Sequence, residues 1–527
     1  MMWFSSSSIF LTFFSLTFIF SPLLSSVSAQ QSFLQCLSTT SQPQFPISDA
    51  IFTPNNSSFL TVLNSYIRNL RFQNPTTPKP LFIVTAKHYS HVQSTVVCAK
   101  RVGLQIRIRS GGHDYEGLSY VSQQPFVILD LFNLRAINVD IPSQTAWVES
   151  GATLGELYYA IAKKSNLHGF PGGVCPTVGT GGHFSGGGYG NLIRKFGLTV
   201  DNILDAQIVN ADGKILNRQT MGEDLFWAIR GGGGGSFGVI LSWKISLVQV
   251  PSTVTVFDVD RKIEDGATDV VFEWQQVMDK LDENLFIRLM LHSSKGENGQ
   301  KTGKATLVAL FLGPVEKVMD IMNQNIPSLK LQKQECFEMS WIQSVLFWAN
   351  FPSGTAPEAL LSRQMASTPY LKRKSDYVRE PISREGVEAI WKALMDVEEV
   401  GLTWNPYGGR MSEISETATP FPHRAGVKFK IQYSSNWKEA GDTEAEEEIA
   451  LSRKLYEAMT PFVSKNPREA FLNYRDIDIG SSRTWSLEEG RVYGERYFKG
   501  NFERLVNVKT KVDPQNFFRN EQSIPTR

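Results

Sequence analysis

Two glycine-rich loops each present one nucleophilic side chain. His113 stands in Arg109-Ser110-Gly111-Gly112-His113-Asp114-Tyr115-Glu116-Gly117, and Cys175 in Pro171-Gly172-Gly173-Val174-Cys175-Pro176-Thr177-Val178-Gly179. Glycine runs leave main-chain N–H groups bare, so a phosphate-bearing cofactor can approach them closely. An imidazole and a thiol held beside such a cofactor can bond to it covalently. The rival readings are a packed histidine or a zinc site using His113, Cys175 or His183. Zinc would want paired cysteines and a nearby carboxylate base, and neither is present.

The segments that must position these loops alternate short apolar strands with brief helices over 80–250. Leu81-Phe82-Ile83-Val84 reads as a buried strand; Val92, Val96 and Ala99 follow at helical spacing, with Gly103 as the stop. Leu104, Ile106 and Ile108 alternate with Gln105, Arg107 and Arg109, predicting a strand that runs straight into the His113 loop. Residues 126–131 form another strand. Thr153 and Glu156 spell a capping box that opens a helix with Leu154, Leu157, Tyr158 and Ile161 on one face. Gly233 to Gly238 matches G-x-G-x-x-G, but Val239-Ile240-Leu241 follows as a strand where a dinucleotide fingerprint demands a helix, so that reading is rejected.

Past residue 250 the texture changes. Residues 253–259, 285–292 and 305–312 read as strands of an antiparallel sheet. Val387, Ile390, Trp391 and Leu394 mark one covering helix and residues 444–459 another. Val427, Phe429, Ile431 and Tyr433 alternate with Lys428, Lys430 and Gln432, which predicts one face on the core and one polar face.

The 527 residues are 42% hydrophobic and 20% charged with a net charge of +1, an ordinary globular balance that gives no argument for nucleic acid or an anionic membrane as partner. Residues 1–30 carry no charged side chain, and 9–24 are dominated by Phe, Leu and Ile. Val27-Ser28-Ala29 then supplies a small-x-small cleavage pattern. Residues 1–29 read as a secretory signal peptide, with an N-terminal anchor as the alternative. Four cysteines suit that route: Cys36 and Cys98 read as a disulfide, and Cys336 as an inert packed thiol. Asn55 and Asn56 each begin a glycosylation sequon.

Taken together, the segments 109–117, 169–190, 230–238, Trp404-Asn405-Pro406-Tyr407-Gly408-Gly409, Asn473-Tyr474-Arg475-Asp476 and 497–518 resemble the berberine-bridge-enzyme-like flavoproteins of plants, within the vanillyl-alcohol-oxidase type. The resemblance implies an α+β fold: a two-part FAD-binding domain (30–250, completed by 466–527) and a substrate domain (251–465) with an antiparallel sheet covered by helices. It implies FAD attached through His113 to the flavin 8α carbon and through Cys175 to C6. The cofactor would be cradled by Arg109, Ser110, Gly111, Gly112, Asp114, Val178, Gly179, Gly182 and His183.

On the substrate side, Tyr474 matches the family position assigned to the base, with Lys430 expected to favour its tyrosinate. Gln432 stands where alkaloid-cyclising members carry a glutamate, which turns the reading towards alcohol oxidation. Tyr115 and Tyr189 match cleft positions, and Val178 is expected to leave room for O2. His292 and His168 read as structural. The expected protein is a secreted monomer, extracellular or in the cell wall with the vacuole as alternative. It would oxidise an alcohol or a sugar hemiacetal such as an oligosaccharide end, with O2 reduced to H2O2. The alternatives are an aromatic allylic alcohol oxidoreductase, an oxidative cyclase, and a non-oxidising scaffold.

Overall fold

The computed structural model describes residues 29–365 and 367–527, so all of the expected signal peptide except its last residue lies outside the described residues. Three larger sheets organise the described residues, beside a two-stranded ladder of His168–Gly169 with Val248–Gln249. In the first, Gln105–Arg109 pairs in parallel with Phe126–Asp130, which pairs in parallel with Phe82–Thr85, while Ile51–Phe52 adds an antiparallel edge. The helix Tyr89–Val102 crosses between strands and ends where Gly103 takes a left-handed conformation at φ 75°. A disulfide joins Cys98 of that helix to Cys36 of the helix spanning 29–40.

The second sheet orders Ile137–Asp140, Thr145–Glu149, Val239–Ser246, Ile203–Val209 and Ile215–Leu216. Its central strand Val239–Ser246 begins directly after Gly238, the last glycine of the G-x-G-x-x-G match, as the rejection of a dinucleotide fingerprint requires. The capping box of Thr153 and Glu156 opens the helix Leu154–Ala162. The end of the chain returns to this half. The buried Lys509 ammonium donates to the Ser236 and Phe518 carbonyls at 2.7 Å each, and the Ile524 N–H donates to Ser236 Oγ.

The third sheet has seven antiparallel strands in the order Cys336–Met339, Val254–Lys262, Lys301–Phe311, Leu285–Lys295, Val400–Pro406, Phe429–Trp437 and Tyr370–Val378. Helices Ala267–Val277, Arg384–Val397 and Asp442–Ala458 bury one face around Trp274, Leu289, Trp391, Trp404 and Ile431. The other face looks towards the first half.

Two alternating strands depart from the pattern of one wet face. Gln105, Arg107 and Arg109 are all buried, because Arg109 pairs with Asp130 at 2.7 Å and Arg107 with Glu521 at 2.8 Å. Lys430 is likewise 0% exposed. The polar face of its strand is covered by the other half of the molecule, which the alternation alone does not show. Cys336 is partly buried against the Met319 sulfur at 4.0 Å, and burial pushes its thiol up to about 11, which fits an unreactive group.

Candidate active site

Strand Gln105–Arg109 delivers the chain into a turn that only glycine permits. Gly112 has φ +70°, and a Cβ there would lie 1.8 Å from the Tyr66 carbonyl oxygen. Asp114 then fixes the loop by accepting from the N–H groups of Glu116 and Leu118 at 3.0 and 3.1 Å. The second loop crosses the first backbone on backbone: a Cβ on Gly111 would meet Gly179 N at 2.3 Å, and one on Gly179 would meet Gly111 N at 2.3 Å. This contact brings His113 and Cys175 to one hydroxyl. Thr177 Oγ1 lies 3.0 Å from His113 Nε2 and 3.5 Å from Cys175 Sγ.

Both loops line a cleft of about 420 Å³ between the two halves. Its lining includes Ser110–Tyr115, Cys175, Val178, Gly179, Gly182 and His183 from one side, and Arg288 and Gln432 from the seven-stranded sheet. The site fits a flavin dinucleotide on two observations. Bare backbone faces the cleft: no atom lies within 4 Å of a Cβ built on Gly182, and only Ile108 Cδ1, at 4.0 Å, approaches one on Gly235. Buried guanidinium donors without partners among the described residues also line it, namely Arg107 Nε and Nη1, Arg475 Nη1 and Arg519 Nε. A pyrophosphate would satisfy such donors.

At the sheet end, three aromatic rings surround one amine. Lys430 Nζ sits 3.2 Å from the ring centre of Tyr189, 3.8 Å from that of Phe471 and 4.4 Å from that of Tyr474. The hydroxyls of Tyr189 and Tyr474 share a hydrogen bond. The Gln432 amide donates to the Tyr115 hydroxyl at 3.0 Å. Arg288 Nε donates to Asn405 Oδ1 at 2.9 Å.

Burial governs the ionisation of these groups. It pushes Tyr474 well above the usual tyrosine value, reinforced by Tyr189 and Tyr115, and pushes Lys430 well below the usual lysine value, reinforced by Arg288. The opposing charge that favours tyrosinate at Tyr474 is Arg288. Lys430 was the group expected to do so, and burial disfavours its own charged form. His183 accepts from the Gly173 N–H at 3.0 Å through Nε2, so Nδ1 carries its proton. Burial and then Lys430 hold its pKa at about 3.

The expected residues therefore gather in one cleft, except that Arg109 and Lys430 do not line it; Lys430 is buried against the rings of Tyr189, Phe471 and Tyr474. Arg109 turns away to Asp130 and to the carbonyls of Val62 and Leu63, and it supports the loop from behind. His292 lies on the seven-stranded sheet outside the cleft lining, paired across to Lys304, and His168 bonds Ser165 Oγ. Sequence reasoning missed Arg288, Arg107, Arg475, Arg519 and Thr177. The polar alternation of 104–109 marked Arg107, whereas nothing local distinguished Arg288 or Arg519 from surface cations.

Residues 80–218 match a family model for an FAD binding domain, and residues 470–525 match one for berberine and berberine-like proteins. Berberine bridge enzyme-like 14 of Arabidopsis thaliana is 58% identical over 500 residues, covering 94% of each chain. This chain belongs to the berberine bridge enzyme-like family. Solved relatives share its fold. BBE-like #28 from Arabidopsis thaliana is 46% identical with a TM-score of 0.88, covering 94% of this chain and 100% of that one. Phl p 4, a grass pollen allergen with glucose dehydrogenase activity, is 44% identical with a TM-score of 0.88, covering 94% and 99%. The berberine bridge enzyme-like chain described here is thus an α+β FAD-dependent oxidoreductase of the vanillyl-alcohol-oxidase type.

Proposed function

We propose that this enzyme oxidises a primary alcohol or a sugar hemiacetal, such as the reducing end of a cell-wall oligosaccharide, with FAD bonded to His113 and Cys175. The observation that carries the reading is the nature of the available base. Among the described residues lining the cleft the one carboxylate is Asp114, which is tied to Arg475 at 2.9 Å. With no free carboxylate there, we assign the proton acceptor facing a substrate to Tyr474.

Bound FAD supplies a hydride acceptor whose electrons return to dioxygen, releasing hydrogen peroxide. Tyr474 Oη removes the substrate hydroxyl proton, oriented by its bond to Tyr189, with Arg288 offsetting part of the burial that disfavours its tyrosinate. Gln432 occupies a lone pair of Tyr115, leaving the Tyr115 proton free to hold a substrate oxygen. A glutamine cannot take up a full proton, which disfavours ring closure of an N-methyl alkaloid. Lys430 packs the three rings into one rigid wall.

A carbohydrate substrate is supported by Phl p 4, whose wild type is a glucose dehydrogenase. An isoleucine-to-valine variant of that protein is a glucose oxidase, and Val178 in the cleft lining supports oxygen as acceptor here. The wall of Tyr115, Tyr189, Phe471 and Tyr474 favours a second reading, an aromatic allylic alcohol stacked on those rings.

We further propose that 30–250 with 466–527 binds the cofactor while 251–465 binds substrate. The monomer enters the secretory route behind the leader 1–29 and bears a glycan at exposed Asn55 or Asn56. The Cys36–Cys98 disulfide supports an oxidising compartment.

Anaerobic mixing of the yellow protein with oligosaccharides and with cinnamyl-type alcohols, followed by air, tests the substrate. Bleaching by a sugar with fast recolouring and peroxide is expected. Bleaching only by aromatic alcohols would move the substrate to the second reading, and no bleaching by either panel would defeat alcohol oxidation.

A further inference from the structure

The two attachment residues meet at a third side chain that neither the motif nor the alcohol chemistry uses. Thr177 is 5% exposed, and its Oγ1 lies within hydrogen-bonding reach of both His113 Nε2 (3.0 Å) and Cys175 Sγ (3.5 Å). A hydroxyl has a single proton to donate and lone pairs with which to accept. Bridging an imidazole and a thiol, it can point in only two directions.

If Thr177 donates to His113 Nε2, the imidazole proton sits on Nδ1 and the hydroxyl oxygen accepts the thiol proton. Neither side chain is then a nucleophile towards the cleft. If instead His113 Nε2–H donates to Thr177, the Nδ1 lone pair is free and the hydroxyl proton turns to Cys175. A hydrogen bond received at sulfur favours the thiolate, the form that attacks. Burial, and then the charge of Arg68, keeps the imidazole neutral down to about pH 3.

We propose that Thr177 is the positioning residue for covalent flavin attachment, accepting from His113 Nε2–H and donating to Cys175 Sγ so that one hydroxyl readies both nucleophiles. This rests on the reading that FAD is bonded at His113 and Cys175. At His113 a bond forms from Nδ1 to the flavin methyl carbon as one C–H bond there breaks. At Cys175 a bond forms from Sγ to a ring carbon as its C–H bond breaks. For each link the C–H hydrogen and the N–H or S–H hydrogen leave as two protons and two electrons. Dioxygen takes them up as one molecule of hydrogen peroxide.

The backbone holds Thr177 at this junction. The Val178 N–H closes a turn onto the Cys175 carbonyl at 3.3 Å, the Pro176 carbonyl accepts from Gly155 N–H at 2.9 Å, and the Val178 carbonyl accepts from Leu154 N–H at 2.9 Å. The loop is thereby pinned to the start of the helix Leu154–Ala162, on both sides of Thr177.

The test compares full-length wild type with Thr177→Val, Thr177→Ala and Thr177→Ser. Flavin retained after acid precipitation is measured, and peptide mass spectrometry assigns it to His113 or Cys175. Wild type and Thr177→Ser are expected to carry both links. Thr177→Val and Thr177→Ala should bind FAD yet form the Cys175 link roughly tenfold or more slowly, as loss of a hydrogen bond to a charged group implies. The rate should also need a higher pH. Thr177→Ala, which only removes atoms, keeps the test alive should valine perturb folding. Two links formed at wild-type rate in both variants would overturn the role of Thr177 alone. Wild type without covalent flavin would instead overturn the bicovalent reading, and this proposal with it.

Discussion

Lys372 of the seven-stranded sheet donates to Asp476 at 2.7 Å, two residues beyond Tyr474, with both side chains 2% exposed. The same ammonium pairs with Glu116, one residue beyond Tyr115, and Lys374 adds a second bond to Asp476 at 2.7 Å. Two tyrosines from distant parts of the chain are thus clamped to one strand by buried charges.

Lys372→Met should be costly for that reason. It leaves Glu116 and Asp476 buried with less compensation, a change that typically costs about 3–5 kcal/mol. Urea unfolding of the variant should show a midpoint well below wild type. An unchanged midpoint would mean that Lys374 and Arg71 neutralise the cluster unaided.

Tyr474→Phe removes the proposed base while keeping the ring that packs on Lys430 and Phe471. Rapid-mixing measurements should find flavin reduction slowed by about 100-fold or more, with the fold intact. Because burial raises the wild-type Tyr474 pKa, the wild-type rate should climb on the alkaline side, and the variant should lose that climb. An identical pH profile in both would remove Tyr474 from the role.

Glycines of the cleft should separate by what their Cβ would meet. Gly182→Leu projects into open cleft, so it should lower FAD content with little change in unfolding temperature. Gly111→Ala drives a methyl onto the Gly179 backbone and should destabilise the protein itself. Flavin absorbance per chain and thermal unfolding, measured on both variants, distinguish the two effects.

His183 makes the fold acid-sensitive in a defined window. Burial first, then Lys430, holds its folded pKa at about 3, whereas an unfolded histidine titrates near ~6.5. Between those values the unfolded chain binds a proton that the folded one does not. Its contribution is therefore complete above the unfolded value and is lost as pH falls towards 3. His183→Asn should flatten the decline of denaturant midpoint over that range, and an unaltered slope would show that His183 charges in the folded state.

Much of the site was readable from local chemistry. His113 and Cys175 announce themselves because each is a lone nucleophile in a glycine run, and the Thr153–Glu156 box and Gly103 stop are local signals that packing merely confirmed. The alternation of Lys430 and Gln432 likewise marked a shared face. What that face met was not legible, because period-two alternation reports which side chains point together and says nothing of what covers them. Sequence composition also offered no sign that Arg109 would be spent on Asp130, 21 residues away, while Arg107 reached the cleft beside it.

By itself the sequence singled out two candidate nucleophiles and determined the strand leading to them and the family to which the chain belongs, since these depend on residue type and short spacing. Only the tertiary structure decided the direction of charge. Folding brings Lys430 against three rings, Arg288 towards Tyr474, and Thr177 between His113 and Cys175, across separations of up to 241 residues, that from Tyr189 to Lys430. Burial then governs Lys430 and Tyr474, because desolvation depends on every atom packed around them and no stretch of sequence carries that sum.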